Sequence, residues 1–261
     1  MNSPMVPTIF ASDRVLHRRR RSLARAIDEQ AQFLHHHAIE DMVDRLSFVR
    51  AKPTNSLIVG DVTSRMAQHL RAHGSDVEEA DIAPLPARIE LNMERPYDHG
   101  PFEFIGVIGL LDAINDLPGA LIHIRNALAP GGMAIASFVG GGSLPKLRTA
   151  LLAADGDRPA ARIHPMVDHR AAPQLLQRAG WSDPVVDTHT LTVRYSSLDR
   201  LIHDLRDHGL TSALVDQAPA LTRSALARAR ATFLDQADED GKVSETFEII
   251  TLTGRRSLAG T

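Results

Sequence analysis

Residues 115–138 constrain the fold of this chain more than any other segment. Their pattern predicts a helix over about residues 117–128, a Pro-Gly-Gly turn at residues 130–132 and a buried strand over about residues 133–138. Alanine, leucine and isoleucine supply the apolar face of the helix, and the proline and paired glycines end it before the strand begins. A helix that leads through a short turn into an apolar strand is typical of an α/β protein, in which helices cover a largely parallel sheet.

Strand-like and helical patterns alternate along the rest of the chain. Short apolar or β-rich runs predict strands at residues 57–59, 76–82, 102–110, 184–195 and 246–253. Apolar periodicity and helix-ending residues predict helices at residues 14–50, 63–73, 144–154, 171–179, 198–208 and 219–237. The alternation predicts a doubly wound, mostly parallel sheet with an antiparallel edge formed by the two late strands. We expect residues 1–12 to be loosely ordered, residues 1–50 to form an N-terminal helical extension and residues 51–261 to form the main domain.

Composition excludes several classes of function. The chain has no cysteine, so disulfides, zinc held by cysteines and a cysteine nucleophile are excluded. The net charge of −3 gives no general affinity for polyanions, and we expect no nucleic-acid partner. No apolar run has the length of a signal-peptide core or a membrane span, which predicts a soluble, cytoplasmic protein without a transmembrane segment. Neither a G-x-S-x-G nor a Walker A sequence occurs, so hydrolase and P-loop chemistry are unsupported.

Several short motifs follow one another along nearly the whole chain. The first are Phe-Ala-Ser-Asp-Arg at residues 10–14, four arginines at residues 18–21 and Asn-Asp-Leu-Pro at residues 115–118. The segments 139–148, 163–166, 176–181, 186–188, 201–209 and 241–250 continue the series. With the helix that ends in L-x-P-G-G, this order resembles the class I S-adenosylmethionine-dependent methyltransferases. Within them it is similar to the group of the mitochondrial complex I assembly factor 5 proteins, their α-proteobacterial relatives and the malonyl-carrier-protein methyltransferases of biotin synthesis.

The resemblance implies a Rossmann-like class I methyltransferase fold with a seven-stranded sheet. Helical insertions are expected after the fifth strand, at about residues 143–180 and 198–240. It also implies S-adenosylmethionine as cofactor and a function in respiratory complex I assembly, with a protein substrate or a respiratory-complex subunit as partner. The alternatives are a non-catalytic assembly or scaffold protein that keeps the fold, and arginine hydroxylation by analogy with the mitochondrial relative.

The turn after the first strand departs from the pattern of this family. The family has an acidic residue and three glycines in acid-x-Gly-x-Gly-x-Gly, whereas residues 58–64 read Ile-Val-Gly-Asp-Val-Thr-Ser. Gly60 is retained, and Val62 and Ser64 occupy the other two glycine positions. Because a β-branched residue rarely adopts positive φ, the loop either follows another path or holds the cofactor differently. We predict that Gly60 and Asp61 bind cofactor, Asp61 being either a displaced carboxylate or a solvated turn residue.

Further candidates lie at the ends of the second and third predicted strands. A carboxylate at Asp81, beside Ile82, can accept hydrogen bonds from both ribose hydroxyls, unless it is only an acidic strand end in water. Gly109 and Leu110 end the predicted strand 102–110 at the edge where open α/β folds bind ligands. The resemblance places the adenine-contacting position on Asn92. Two further acids, Asp112 and Asp116, are either functional or caps of the helix that follows.

Three basic features have competing interpretations. The arginines at residues 18–21 indicate either a solvated turn of the first helix or a site for an acidic partner or an anionic membrane surface. Histidines 35–37 are consecutive, and on a helix they point in different directions, which disfavours a metal site. On the substrate side the candidates are His164 and Arg148, near the glycine-rich segment 140–142, with a structural hydrogen bond as the alternative for His164. No general base and no oligomeric state can be assigned from the sequence.

Overall fold

The computed structural model describes residues 8–25 and 29–258 and confirms the predicted fold class. Seven strands form one sheet in the order β3-β2-β1-β4-β5-β7-β6. The strands are β1 Asn55–Val59, β2 Asp76–Asp81, β3 Ile89–Glu90, β4 Phe102–Ile108, β5 Leu128–Val139, β6 Ser182–Tyr195 and β7 Val243–Arg255. Strands β1 to β5 pair in parallel, and β7 lies antiparallel between β5 and β6. The two late strands therefore form the antiparallel edge that the sequence predicts.

Eight α-helices are present in the described residues, and most coincide with predicted ones. They are α1 Ser12–Arg25, α2 Phe33–Phe48, α3 Arg65–Ala72, α4 Leu117–Ala127, α5 Pro145–Asp155, α6 Ala172–Arg178, α7 Leu198–Asp207 and α8 Arg223–Leu234. The prediction of one helix over residues 14–50 is wrong, since α1 and α2 are separate helices. They bury different kinds of surface, because α1 buries Arg18, Arg19 and Ser22 whereas α2 buries mainly aliphatic side chains.

The predicted loose order of residues 1–12 is only partly testable, because residues 1–7 lie outside the described part of the chain. Phe10 is buried, and its backbone forms a β-bridge with Leu214. The amide of Asn115 also bonds the backbone of Phe10, with Oδ1 accepting from its N–H at 2.9 Å. The expectation is therefore wrong for the end of this segment, because contacts with distant residues hold it in place.

Helices cover both faces of the sheet and leave its carboxyl edge available for a site. One face packs on α4 and α6, and the other packs on α2 and α3, through two separate apolar clusters. A third cluster joins α5, α7 and α8 to the first half of β7. The Pro-Gly-Gly turn forms a bulge at the start of β5, since Leu128 pairs with Phe102 and the next pair joins Met133 to Phe104. The predicted turn thus precedes the buried part of β5.

Candidate functional site

The carboxyl ends of β1, β2 and β4 bring Gly60, Asp81 and Leu110 together. The Gly60 N–H donates to the Ala80 carbonyl at 3.0 Å, which ties the end of β1 to the end of β2. Gly60 has a φ of +84°, and a Cβ there would lie 2.4 Å from the Ile108 carbonyl oxygen. Only glycine satisfies both the conformation and the close approach, so this one retained glycine allows the turn after β1 to lie against the end of β4.

Asp61 is almost fully buried, and its carboxylate is used by the backbone around the start of α3. Oδ1 accepts hydrogen bonds from the N–H and hydroxyl of Thr63, at 2.8 and 2.6 Å. Oδ2 accepts from the Met66 N–H at 2.9 Å. These bonds satisfy donors that a helix N-terminus leaves unpaired. The structure therefore places Asp61 in a capping arrangement rather than in a solvated turn.

The loop keeps a left-handed residue at the last of the lost glycine positions. Ser64 has a φ of 56°, whereas Val62 is not among the residues with positive φ. The Ser64 hydroxyl donates to Glu79 at 2.6 Å and accepts from Arg88 at 2.8 Å. Two charge-assisted hydrogen bonds help to offset the cost of a left-handed serine. The loop therefore departs from the family sequence while Ser64 adopts a conformation in which glycine is favoured.

Asp81 is fully buried and is paired with Arg19, which reaches it from α1. Nε of Arg19 donates to Asp81 Oδ1 at 3.0 Å, and Nη2 donates to Oδ2 at 2.5 Å. Nη2 also donates to the Gly60 carbonyl at 2.8 Å. The Ala83 N–H donates to Oδ1 at 3.1 Å. Both oxygens of the predicted ribose-binding carboxylate are thus bound by the protein itself.

A second buried ion pair lies next to the first. Arg18 Nη2 donates to Asp112 Oδ2 at 2.8 Å, and His164 Nε2 lies 3.5 Å from the same oxygen. Burial opposes ionisation of Asp112, but the positive charge of Arg18 and the contact with His164 lower its pKa to about 2. Asp112 is therefore a carboxylate at neutral pH. The separate candidate Asp116 caps α4, accepting from the Gly119 N–H at 2.9 Å.

Helix α1 is held over this edge by contacts with α7 and the segment after it. The Ser22 hydroxyl donates to the Asp207 carbonyl at 2.5 Å, and Arg25 forms an ion pair with the Asp207 carboxylate. Arg18 Nη1 donates to the Thr211 carbonyl at 3.0 Å. The interpretation of residues 18–21 as a solvated turn is wrong for Arg18 and Arg19, because both are buried in ion pairs. Arg20, by contrast, is exposed.

The cleft beside Asp81 remains open on the side of β3. Ile82 and Asn92 line it, together with residues of α1 such as Val15 and Leu16. Asn92 Oδ1 accepts from the Glu94 N–H at 3.0 Å, which shapes the loop after β3. An apolar wall with an amide suits a flat heterocyclic base. Arg19 occupies the predicted ribose-binding carboxylate of Asp81, so the predicted site does not fit S-adenosylmethionine in this conformation.

The substrate-side candidates and the consecutive histidines have separate surroundings. His164 is fully buried beside Asp112, whereas Arg148 lines a surface cleft with Gly141 and Gly142. The structure therefore does not bring His164 and Arg148 into one site. His35 is buried, and His37 stacks on His189 with ring centroids 4.5 Å apart. Within the described residues, no cluster of three or more His, Cys, Asp or Glu side chains is suited to a metal ion.

Sequence reasoning missed Arg18 and Arg19 as members of the site. The run of four arginines was the available signal, but it does not show which two side chains turn inward.

The sheet, with β7 antiparallel between β5 and β6 and a carboxylate at the end of β2, defines a Rossmann-like fold of the class I methyltransferase type. A sequence profile described as a methyltransferase domain matches residues 17–184. The chain therefore belongs to the methyltransferase domain family, which supports S-adenosylmethionine as its cofactor.

Similar proteins include members with different named activities. The arginine-hydroxylase NDUFAF5 of Danio rerio is 27% identical over 93% of this chain and 81% of its own length. The malonyl-[acyl-carrier protein] O-methyltransferase 1 of Coxiella burnetii is 30% identical over 82% of this chain and 78% of its own length. The predicted group is thus confirmed, while the two names describe different reactions.

A solved structure confirms the fold independently of the sequence profile. The [4+2]-cyclase SpnF superposes with a TM-score of 0.51 at 15% identity, covering 97% of this chain and 99% of its own. At that identity the likeness concerns the fold alone, and a cyclase on this fold shows that architecture does not determine the reaction. Among the described residues, no helix combines the length and the apolar character required to cross a bilayer.

Proposed function

We propose that this chain is an S-adenosylmethionine-dependent methyltransferase in which Arg19 occupies the ribose-binding carboxylate of Asp81 in the described conformation. The observation that carries the proposal is the position of Asp81, a buried carboxylate at the end of β2 beside the glycine turn. In dinucleotide-binding folds an acid in this position binds the ribose. The family match to residues 17–184 supports the same assignment. Gly60, Asp61, Asp81, Ile82, Asn92, Gly109 and Leu110 remain the predicted cofactor-side residues.

Cofactor binding requires Arg19 to leave Asp81. The Arg19 guanidinium takes the hydrogen-bond acceptors that the ribose would use, and its positive charge opposes the positive sulfonium of S-adenosylmethionine. Arg19 belongs to α1, within the predicted extension of residues 1–50, which is attached to the site through polar contacts with α7 and Thr211. A displacement of α1 would free Asp81 and the Gly60 carbonyl together. The extension therefore acts as a cover of the cofactor cleft in this proposal.

The Arg19–Asp81 pair also favours a second candidate, a protein that keeps the fold without binding cofactor. In that case the pair is a permanent part of the interior. The resemblance also implied a role in assembling a respiratory-complex subunit. That role is compatible with this second candidate and with a methyltransferase that modifies a protein-borne group. The name of one relative supports a protein-associated acceptor, since it contains an acyl-carrier protein.

Calorimetric titration with S-adenosylmethionine separates the two candidates. The proteins compared are the wild type, Arg19→Gln and, as a matched control, the exposed Arg20→Gln. We expect Arg19→Gln to bind at least about tenfold more tightly than the wild type, a difference of about 1.4 kcal/mol. Arg20→Gln should bind like the wild type. Binding that weakens in Arg19→Gln would show that Arg19 contacts the cofactor, and absence of binding in all three folded proteins would favour the scaffold.

A further inference from the structure

A wide cleft opens at the carboxyl end of β5, beside the glycine-rich segment 140–142. Its walls include Arg148, Met166 and His169. The volume of the cleft is about 570 Å³, which lies within the range of small-molecule sites. Arg148 shares this cleft with His169, whereas the predicted partner His164 is fully buried elsewhere. The structure therefore replaces one histidine of the predicted substrate side with another.

The glycines of segment 140–142 bring the backbone against the side chain of Glu248, which belongs to β7. A Cβ on Gly140 would lie 2.5 Å from Glu248 Oε2, and a Cβ on Gly142 would lie 3.0 Å from Oε1. The Gly142 N–H donates to Oε2 at 2.9 Å, and the Gly140 N–H donates to the backbone carbonyl of Glu248 at 2.8 Å. Contacts this close require residues without a side chain. The glycine-rich segment therefore holds one carboxylate in a fixed position at the cleft.

The carboxylate of Glu248 orients the ring of His169. Oε1 lies 2.9 Å from Nδ1 of His169, while Oε2 is bound by the Gly142 N–H. The Glu248 side chain is 13% exposed, whereas that of His169 is 46% exposed. An ionised carboxylate only accepts hydrogen bonds, so Nδ1 carries the proton of a neutral ring and Nε2 is left as an acceptor. His169 therefore offers the cleft an oriented hydrogen-bond acceptor, while both oxygens of Glu248 are already used.

Among the described residues that line the cleft, Arg148 is the arginine without a carboxylate partner. The other, Arg170, is bound by Asp168, with Nη2 donating to Oδ2 at 2.6 Å. Within the part of the chain that the structure describes, the side chain of Arg148 makes one hydrogen bond, from Nε to the Ser143 carbonyl at 3.3 Å. Its terminal nitrogens Nη1 and Nη2 are therefore available. A guanidinium in this state binds a carboxylate or a phosphate through two parallel hydrogen bonds.

This cleft approaches the cofactor cleft at the buried contact between Asp112 and His164. Ala113, the residue after Asp112, lines the cofactor cleft, and Pro165, the residue after His164, lines the cleft at β5. His164 Nε2 lies 3.5 Å from Asp112 Oδ2. Both clefts thus lie at the carboxyl edge of the sheet and meet at one pair of side chains. This relation is expected of a cofactor site and an acceptor site, because group transfer requires both reactants to be held together.

We propose that the cleft at β5 binds the methyl acceptor, and that this acceptor carries an anionic group together with a hydroxyl or N–H group. Arg148 binds the anionic group, a carboxylate or a phosphate, through Nη1 and Nη2. Nε2 of His169 accepts a hydrogen bond from the hydroxyl or N–H group. Glu248 acts as a positioning residue, because it fixes the ring of His169. The assignment to the acceptor rests on the proposed function, whereas the binding chemistry rests on the cleft itself.

The test is a titration of the full chain, labelled with ¹³C and ¹⁵N in histidine, without any cofactor. The ligands used are 3-hydroxypropionate and glycerol 3-phosphate, with propionate lacking the hydroxyl and 3-hydroxypropionamide lacking the charge. We expect the hydroxy anions to shift the ring signals of His169 in a saturable way, and the tighter of the two identifies the preferred anion. Propionate should bind about three- to tenfold more weakly than 3-hydroxypropionate, as expected for one lost hydrogen bond. The uncharged amide should leave the signals unchanged.

Two variants divide the site into its parts. Arg148→Gln should abolish the shift of His169, whereas Arg158→Gln, which removes an exposed arginine outside the cleft, is the matched control and should keep it. His169→Ala, followed by calorimetry, should weaken 3-hydroxypropionate to the level of propionate.

The proposal is overturned if neither hydroxy anion binds in a saturable way, if the uncharged amide binds equally, or if Arg148→Gln binds like the wild type. Equal binding of 3-hydroxypropionate and propionate would likewise contradict the part assigned to His169. If the anions bind as expected while S-adenosylmethionine binds neither the wild type nor Arg19→Gln, the site stands and only its assignment to a methyl acceptor is lost.

Discussion

The guanidinium of Arg19 lies on the carboxylate of Asp81, with Nη2 2.5 Å from Oδ2, and both side chains are nearly inaccessible to solvent. A pair of this kind attaches α1 to the end of β2. It also places a fixed positive charge on the predicted ribose-binding carboxylate. The pair therefore links the stability of the N-terminal helix to the availability of the predicted cofactor site.

Breaking this pair from one side should be costly. Asp81→Asn leaves the buried Arg19 charge uncompensated, and we expect a loss of about 3–5 kcal/mol in the free energy of unfolding. The double variant Arg19→Gln with Asp81→Asn should recover most of the loss, because no unpaired charge remains. Urea denaturation measures both. Asp168→Asn, which breaks the exposed pair with Arg170, should change stability little. Equal losses in the single and double variants would contradict this account.

A methyl group at Gly60, in the turn after β1, should disrupt the close contact of this turn with the end of β4. Gly60→Ala combines a φ of +84° with a Cβ 2.4 Å from the Ile108 carbonyl oxygen. Gly74→Ala is the matched control, because Gly74 has a φ of +90° and nothing within 4 Å of its Cβ position. We expect Gly74→Ala to cost about 1–2 kcal/mol through backbone strain alone, and Gly60→Ala to cost more. Thermal or urea denaturation compares them, and equal losses would show that the close approach has no effect.

Two of the buried histidines, His35 and His208, should make the protein less stable in mild acid. Their folded-state pKa values are lowered, that of His208 from 6.5 to about 3, so unfolding takes up protons between these limits. Stability is therefore retained above about pH 6.5 and lost as the pH falls toward 3. Within that window, each histidine lowers the free energy of unfolding by up to about 1.4 kcal/mol for each pH unit that the pH falls.

Urea denaturation at several pH values between 7 and 5 would measure this dependence. Replacing His35 and His208 together with glutamine should reduce the slope, because two proton-binding groups of the unfolded chain are removed. His73→Gln, which replaces an exposed histidine, is the matched control. An unchanged slope in the double variant would assign the acid sensitivity to other groups.

Restoring glycines to the loop should affect cofactor binding less than removing Arg19. Ser64 already has a φ of 56°, so Ser64→Gly relieves strain without opening the cleft. It also removes the hydroxyl that bonds Glu79 and Arg88. We expect Val62→Gly with Ser64→Gly to change S-adenosylmethionine affinity by less than about threefold, against tenfold or more for Arg19→Gln. Calorimetry of both would decide, and strong binding created by the glycines alone would show that the loop sequence is the obstacle.

Local features of the fold were predictable because their causes lie within a few residues. The period of apolar side chains identified most helices and strands, and the Pro-Gly-Gly sequence identified the turn before the buried part of β5. Capping by Asp116 was predictable for the same reason, since its carboxylate accepts a hydrogen bond from the N–H of Gly119, only three residues away. The break between α1 and α2 was not, because the periodic pattern continues through residues that the tertiary structure directs to different surfaces.

The candidate site was predictable only as a set of strand ends. The sequence prediction placed Gly60, Asp81 and Gly109 at or next to the ends of three strands, and parallel pairing brings such ends to one edge. The burial of His35 and its juxtaposition with His208 could not be foreseen, because a run of three histidines does not show which ring faces inward. The stacking of these two rings depends on how α2 and the segment after α7 pack against each other.

The sequence by itself determined the fold class, the family and the positions of the strand-end residues, because these follow from local periodicity, turn residues and motif order. Only the tertiary structure decided what those residues bind. Arg19 and Asp81 lie 62 residues apart, and Arg18 and Asp112 lie 94 apart. An arginine in water and an arginine in a buried ion pair have the same local sequence, and the difference arises only when distant chain segments pack together and exclude solvent.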